Sequence, residues 1–285
     1  MPVPVQVHVN IICIYIINSP RSQGSMRSHG VYQSNPNPTY SLPRHYNLNE
    51  TTISAHPSQK MSFVGLVLGA TGLTGSFLLN SSLESGAFSE VTTIARRPLP
   101  FQTDARQLLD ADTDGWKDLV PSNITHLVTA LAAARSVGGP KHQYKIDHDL
   151  NLDLATAAKA KGCKTIVVVS AIYADVSSSF DYCRMKGLVE KDIMALDFDH
   201  TIILRPGVII GKREANQRGT GNSLAEALGR LVHRTRFQSL ALYPVYGEEI
   251  SKVALHLATK PDAKKLEIIE SSDILKIAQQ LSGKK

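Results

Sequence analysis

From Ser62 onward the chain alternates short apolar runs with stretches of helical period. That alternation marks a parallel α/β sheet, because buried parallel strands read as near-continuous Val, Ile and Leu runs joined by helical crossovers. The pattern predicts strands at Phe63–Leu68, Val91–Ala95, Arg106–Leu109, Ile124–Ala130, Thr165–Ser170, Thr201–Leu204 and Leu266–Ile269. Helices are predicted at Gly72–Leu83, Tyr144–Ala160, Phe180–Leu196, Leu224–Val232, Glu248–Ala258 and Asp273–Leu281. Within Glu248–Ala258 the residues Ile250, Val253, Ala254, Leu257 and Ala258 fall on one helix face. No internal repeat of fixed period is found.

The first 60 residues break this pattern. They are rich in Ser, Asn and Pro, as in SNPNPTYSLPRHYNLNE, without helical period, and read as a disordered extension. Val3–Ile17 is apolar but interrupted by Gln6, His8 and Asn10, too short for a membrane span and lacking the leading positive charge of a signal peptide. Scarce acids with scattered Arg and Ser fit a mitochondrial presequence without its amphipathic Arg helix; the alternative is an upstream extension of the gene model, with Met61 the working start. The expected division is an extension over 1–60 and one domain over 61–285, with a small substrate region in its C-terminal part.

Composition narrows the class. Hydrophobic content of 42% and charged content of 20% suit a soluble globular protein. Of the net charge of +6, the first 60 residues supply +3 (Arg21, Arg27, Arg44 and Lys60 against Glu50), and the rest is diluted over the remaining chain. That forms no basic stripe, so nucleic-acid binding is not expected. Cys13, Cys163 and Cys183 have no metal-ligand spacing and form no disulfide framework. His126, His142 and His148 read as surface or packing residues, and no metal site is expected.

The sequence Phe63-Val-Gly-Leu-Val-Leu-Gly-Ala-Thr-Gly-Leu-Thr-Gly75 carries the strongest chemical signal. A buried strand runs into Gly69, Ala70, Thr71, Gly72, Leu73, Thr74 and Gly75, and a helix follows. Gly69 permits a tight turn, Gly72 lets backbone N–H groups reach a pyrophosphate, and Gly75 lets helix and strand pack closely. The helix N-terminus then faces the anion with its positive end. This is a dinucleotide cradle of the Rossmann kind, and the strand-before, helix-after context makes it more than a glycine-rich loop. The second strand ends in Ala95-Arg96-Arg97-Pro98 with no carboxylate for a ribose 2′-OH. Arg96 or Arg97 suits a 2′-phosphate, which favours NADP(H) over NAD(H); a solvated turn is the alternative.

Tyr182 and Lys186 stand four apart on a predicted helix and share a face. A nearby ammonium favours the phenolate, and such a pair can protonate an alkoxide as hydride arrives at its carbon. Ser170 ends the fifth strand, where a hydroxyl could donate to a substrate oxygen or bond local backbone. Ser177, Ser178 and Ser179 compete for that role. Asn151, on the helix after the fourth strand, could hold a water or a backbone carbonyl near Lys186, or be an ordinary polar position.

Taken together, GATGLTG, Thr129-Ala-Leu-Ala-Ala-Ala-Arg135, Gln143-Tyr-Lys-Ile-Asp-His-Asp-Leu-Asn151, Tyr182-Cys-Arg-Met-Lys-Gly187 and Leu204-Arg-Pro-Gly-Val-Ile-Ile-Gly211 resemble the fungal FMP-type atypical short-chain dehydrogenases, related to the animal Tat-interacting oxidoreductase-like proteins. The resemblance spans Met61 to the C-terminus. It implies a doubly wound parallel sheet, NADP(H), and peripheral attachment to the mitochondrial outer membrane, with a cytoplasmic location as the alternative. It matches Gly69, Gly72 and Gly75 to the cofactor loop, Arg96 to the 2′-phosphate position, and Tyr182 and Lys186 to the active pair. Ser170 matches the first serine of a Ser-Ser-x-Gly-Ala stretch that here reads Ser170-Ala-Ile-Tyr-Ala174, with Ala171 replacing the second serine and Tyr173 the glycine. The 60-residue extension departs from the family's short N-terminus.

Three function classes follow. The first is an NADPH-dependent reductase of a small-molecule carbonyl, with Tyr182, Lys186 and Ser170 as catalytic candidates and Lys186 also holding the cofactor ribose. The second is a cofactor-sensing regulator or scaffold that turns over little. The third, a sugar-nucleotide epimerase with tightly held NAD, is disfavoured by the missing acid after the second strand. A homodimer is a candidate assembly.

Overall fold

In a computed structural model, the residues described are 62–211, 231–235 and 237–283. The expected extension over 1–60 lies outside them, as does the predicted helix Leu224–Val232 except for its last two positions.

The sheet is parallel, and its strands run in the order β3-β2-β1-β4-β5-β6-β9. These are β1 (Phe63–Leu68), β2 (Phe88–Ala95), β3 (Arg106–Leu109), β4 (His126–Thr129), β5 (Thr165–Val169), β6 (His200–Arg205) and β9 (Leu266–Glu270). A short parallel pair, β7 (Ile209–Ile210) with β8 (Val245–Tyr246), stands apart from the sheet. Strand order reverses between β1 and β4, which pair from Gly65↔His126 to Leu68↔Thr129. A doubly wound sheet binds its ligands in the crevice that opens there, outside the carboxyl ends of the strands.

Each face of the sheet carries its own layer. On one face Val67, Val128, Val167, Ile202 and Leu204 pack against α1 (Leu73–Glu84), α6 (Gly247–Thr259) and α7 (Ser271–Ser282). The predicted stripe of α6, Ile250, Val253, Ala254, Leu257 and Ala258, is buried there. On the other face Leu66, Leu68, Leu127, Ile166 and Val168 meet α4 (Asn151–Ala160) and α5 (Asp181–Ala195), with Trp116 of the short helix α2 (Trp116–Leu119) closing the end. Strands buried on both faces explain why the sequence shows apolar runs rather than alternation. His126 is a packing residue, seated 4.2 Å from the Phe63 ring with Nε2 3.1 Å from the Ala258 carbonyl oxygen. His148 packs its ring on Tyr144 and lies between Asp149 and Asp192.

The predicted continuous helix Tyr144–Ala160 is in fact broken in kind. A short helix α3 (Gly139–Tyr144) leads into a π turn at Lys145–Leu150 before α4 begins at Asn151. The Asn151 side chain is bonded into that turn. Its Nδ2 donates to the carbonyls of Ile146 and Asp147 at 3.2 and 3.0 Å, inserting a side-chain donor into the backbone ladder. Such π turns gather at functional sites, and this one aims Asp147 inward.

Candidate functional site

Gly69 follows β1 with φ +81°, a conformation that side chains with a Cβ rarely adopt. A Cβ there would sit 2.7 Å from the Ala130 carbonyl, so the turn also lets β1 and the end of β4 approach. Gly75 is held by contact instead: its Cβ would fall 2.0 Å from the Gly69 carbonyl oxygen. Gly72 is the N-cap of α1; its N–H donates to Gly69 at 2.8 Å, and the first turn contains no acidic residue. An α-helix leaves its first N–H groups without intrahelical acceptors, here those of Leu73, Thr74 and Gly75. Ala70, Thr71 and these residues thus form a concave run of backbone at the switch point, whose positive helix end suits an anion.

Leu68 pairs with Ile94 in the β1–β2 register, which sets Ala95 level with Gly69 at the same sheet edge. Arg96 and Arg97 follow directly and are exposed. The structure thus puts both guanidinium-bearing residues on the rim that holds the glycine turn.

Tyr182 opens α5, half-buried, and Lys186 lies one turn on. The Lys186 Nζ is 5.8 Å from the Tyr182 ring centre. The expected pair is therefore assembled, in a setting that the sequence did not reveal. Lys186 is buried, and its ammonium is 2.9 Å from Asp147 Oδ2, while Asp147 Oδ1 accepts from the Ala133 N–H at 2.6 Å. Burial by itself pulls the Lys186 pKa down. The Asp147 carboxylate, with smaller pulls from Tyr182 and Glu190, outweighs burial and leaves the pKa raised.

Ser170 has a different partner from the one expected. Its hydroxyl donates to Glu190 Oε1 at 2.5 Å, and Glu190 in turn takes Arg205 through Nε and Nη2. Arg205 Nη1 continues to Glu270 at 2.9 Å. Glu190, held by that clamp, is the acceptor of the Ser170 hydrogen in this structure. Ser177 serves Asp175 within its own loop. Tyr173 takes a left-handed backbone, φ +61°, which glycine adopts more readily.

Glu190 and Asp147 are the site residues that sequence reasoning missed. A signal for Glu190 was present: Tyr182, Lys186 and Glu190 recur every four residues and form one stripe of α5. Asn151 does hold backbone carbonyls, those of Leu131, Ile146 and Asp147, while its Oδ1 accepts from Thr129 at 2.6 Å. It fixes the π turn that carries Asp147.

Known proteins match this arrangement at two levels. The family model described as HIM1 matches residues 107–237. The protein of Saccharomyces cerevisiae named "Protein FMP52, mitochondrial" is 49% identical over 224 residues, covering 76% of this chain and 97% of that protein. Among solved structures, the Bordetella bronchiseptica enzyme WbmH in complex with NAD+ superposes with a TM-score of 0.57 at 13% identity, covering 78% of this chain and 81% of that one. MoeE5 in complex with UDP-glucose and NAD gives a TM-score of 0.54 at 16% identity, covering 78% of this chain and 82% of that one. At such identities the solved structures speak for the fold.

Proposed function

We propose that this chain, which belongs to the FMP52 family of fungal mitochondrial proteins, binds NADP(H) and reduces the carbonyl of a small molecule, with Tyr182 as proton donor. The observation that carries this reading is the juxtaposition at one sheet edge of an open glycine cradle and a Tyr182–Lys186 pair on a single helix face. Both structural neighbours are complexes with NAD, which supports a nicotinamide dinucleotide as the class of ligand.

The cradle fits that ligand. A Cβ at Gly72 would intrude above the Gly69 carbonyl, and the first turn of α1 offers no acid to repel phosphate. Backbone N–H groups of Leu73, Thr74 and Gly75 at the start of α1 would hold the pyrophosphate, Arg96 and Arg97 would take the 2′-phosphate, and Lys186 would reach the nicotinamide ribose. Bound NADPH supplies the hydride. Tyr182 then transfers its hydroxyl proton to the oxygen of the reduced carbonyl, so the product is an alcohol and the phenol is restored from solvent.

A second reading, an NADP(H)-sensing protein with little turnover, draws on one observation. The Ser170 hydrogen is engaged by Glu190 and position 171 is alanine, so neither position offers an uncommitted serine hydroxyl to a substrate. For either reading we place the protein peripherally at the mitochondrial outer membrane. Relatives are named mitochondrial, and among the described residues no helix is long and apolar enough to cross a membrane.

The test is calorimetric titration with NADPH and NADH, followed by a screen of aldehydes and ketones for NADPH oxidation. Tight NADPH binding with turnover supports the reductase. Tight binding without turnover across the screen favours the sensor, and no binding of either nucleotide overturns both.

A further inference from the structure

Two carboxylates act on Lys186, and they are not equivalent. Glu190, one turn further along α5, is occupied by Ser170 and by both nitrogens that Arg205 turns toward it. Asp147 comes from the π turn on the opposite side and gives Lys186 an oxygen of its own at 2.9 Å. Its other oxygen is fixed by the Ala133 N–H, so the carboxylate cannot swing away without breaking a 2.6 Å hydrogen bond. The two side chains are only 5% and 1% exposed, which strengthens their mutual attraction and prevents water from replacing it.

A carboxylate in that position acts on the phenol as well as on the ammonium. The Lys186 charge stabilises a phenolate at Tyr182, and an opposite charge 2.9 Å from Nζ opposes that field. Further charged groups on the neighbouring elements are Glu190 on α5, Arg205 on β6 and Glu270 on β9, while at the start of α5 Asp181 takes Arg184 at 2.5 Å and Arg135 at 3.8 Å. Asp147 is thus the carboxylate set directly against the Lys186 charge, and it shifts the balance toward a protonated phenol.

Resting on the reductase reading, we propose that Asp147 is a positioning residue that fixes Lys186 beneath Tyr182 and cancels part of its charge, so that Tyr182 rests as a phenol ready to donate. Carbonyl reduction consumes a proton at the substrate oxygen, which a phenol can supply. Asp147 thus acts on the proton donor through Lys186, without touching substrate.

The experiment titrates the phenolate absorbance of Tyr182 in the full chain, taken as the difference from Tyr182→Phe, in the wild type and with Asp147→Asn. No substrate is needed, so the result stands apart from whether a carbonyl is reduced. Asp147→Asn is expected to lower the phenolate midpoint by about one pH unit, a tenfold change in the ionisation constant, and Asp147→Glu to leave it near the wild type. An unchanged or raised midpoint in folded Asp147→Asn overturns the proposal. Should that variant fail to fold, Asp147→Asn combined with Lys186→Gln removes both charges and leaves neither unpaired. Cancelling charges predict a midpoint close to the wild type; a rise of more than about one unit shows an uncancelled Lys186 and overturns the proposal.

Discussion

The Ser170 hydroxyl points at Glu190, 2.5 Å from its Oε1, and Glu190 holds Arg205 with both oxygens. This relationship separates two variants that sequence alone would treat alike. Ser170→Ala removes a hydrogen bond from a carboxylate that keeps its arginine, so carbonyl reduction should fall less than tenfold. Glu190→Ala strips Arg205 of its main partner in a half-buried site and should cost roughly 3–5 kcal/mol of stability, as breaking buried pairs does. Denaturant unfolding and steady-state rates on both variants check this. A loss of more than a hundredfold for a well-folded Ser170→Ala would return Ser170 to the substrate.

Two glycines of the cradle should fail differently. Gly75→Ala drives a Cβ to 2.0 Å from the Gly69 carbonyl oxygen, so the helix must move. It should lose NADPH affinity together with roughly 1–3 kcal/mol of stability. At Gly72 the added methyl meets only the Gly69 carbonyl oxygen, at 3.2 Å, and would otherwise stand in open space where the proposed phosphates lie. Gly72→Ala should therefore lose affinity with little change in melting temperature. Wild-type NADPH affinity in Gly72→Ala would remove the cradle from the account.

Much of the fold was legible because strand burial and helix period act locally. Phe63–Leu68 and Arg106–Leu109 form strands at the predicted bounds, and the apolar stripe of Glu248–Ala258 is the buried face of α6. The π turn was not legible, since it depends on where one amide reaches: Asn151 among Leu131, Ile146 and Asp147. Tyr182 and Lys186 could be found by spacing on their own helix. Asp147 could not, because it meets Lys186 only after α3 and the π turn fold back over the sheet edge. Ser170 was correctly placed at a strand end, but which way a hydroxyl turns there is decided by Glu190, twenty residues on.

Burial pushes the pKa of His126 down from its ordinary value to about 4. The folded chain therefore resists protonating His126 while the unfolded chain takes the proton near pH 6.5. This contribution to stability is complete above pH 6.5, shrinks as pH falls, and levels off near pH 4, an effect of at most about 3 kcal/mol. Urea unfolding of the wild type and His126→Gln from pH 7 to 4 checks the sign. The wild type should lose more stability than the variant across that window, and parallel losses would assign the dependence to other groups.

Arg96 and Arg97 at the end of β2, where the sequence Ala95-Arg96-Arg97-Pro98 carries no acid, predict cofactor choice. NADPH should bind at least tenfold more tightly than NADH, or about 1.4 kcal/mol. Arg96→Asp should erase that preference by removing a guanidinium and supplying an acceptor for a 2′-OH. Equal wild-type affinities by calorimetry would count against NADP(H).

The most direct test of the central claim is the rate of carbonyl reduction by Tyr182→Phe, measured beside its NADPH affinity. Phenylalanine keeps the ring beside Lys186 and removes only the proton donor. Positioned proton donors contribute about 10²–10⁴ in rate, so turnover should fall by that order while NADPH affinity stays near the wild type. A Tyr182→Phe protein that reduces its carbonyl at the wild-type rate, with NADPH bound equally well, would contradict the account.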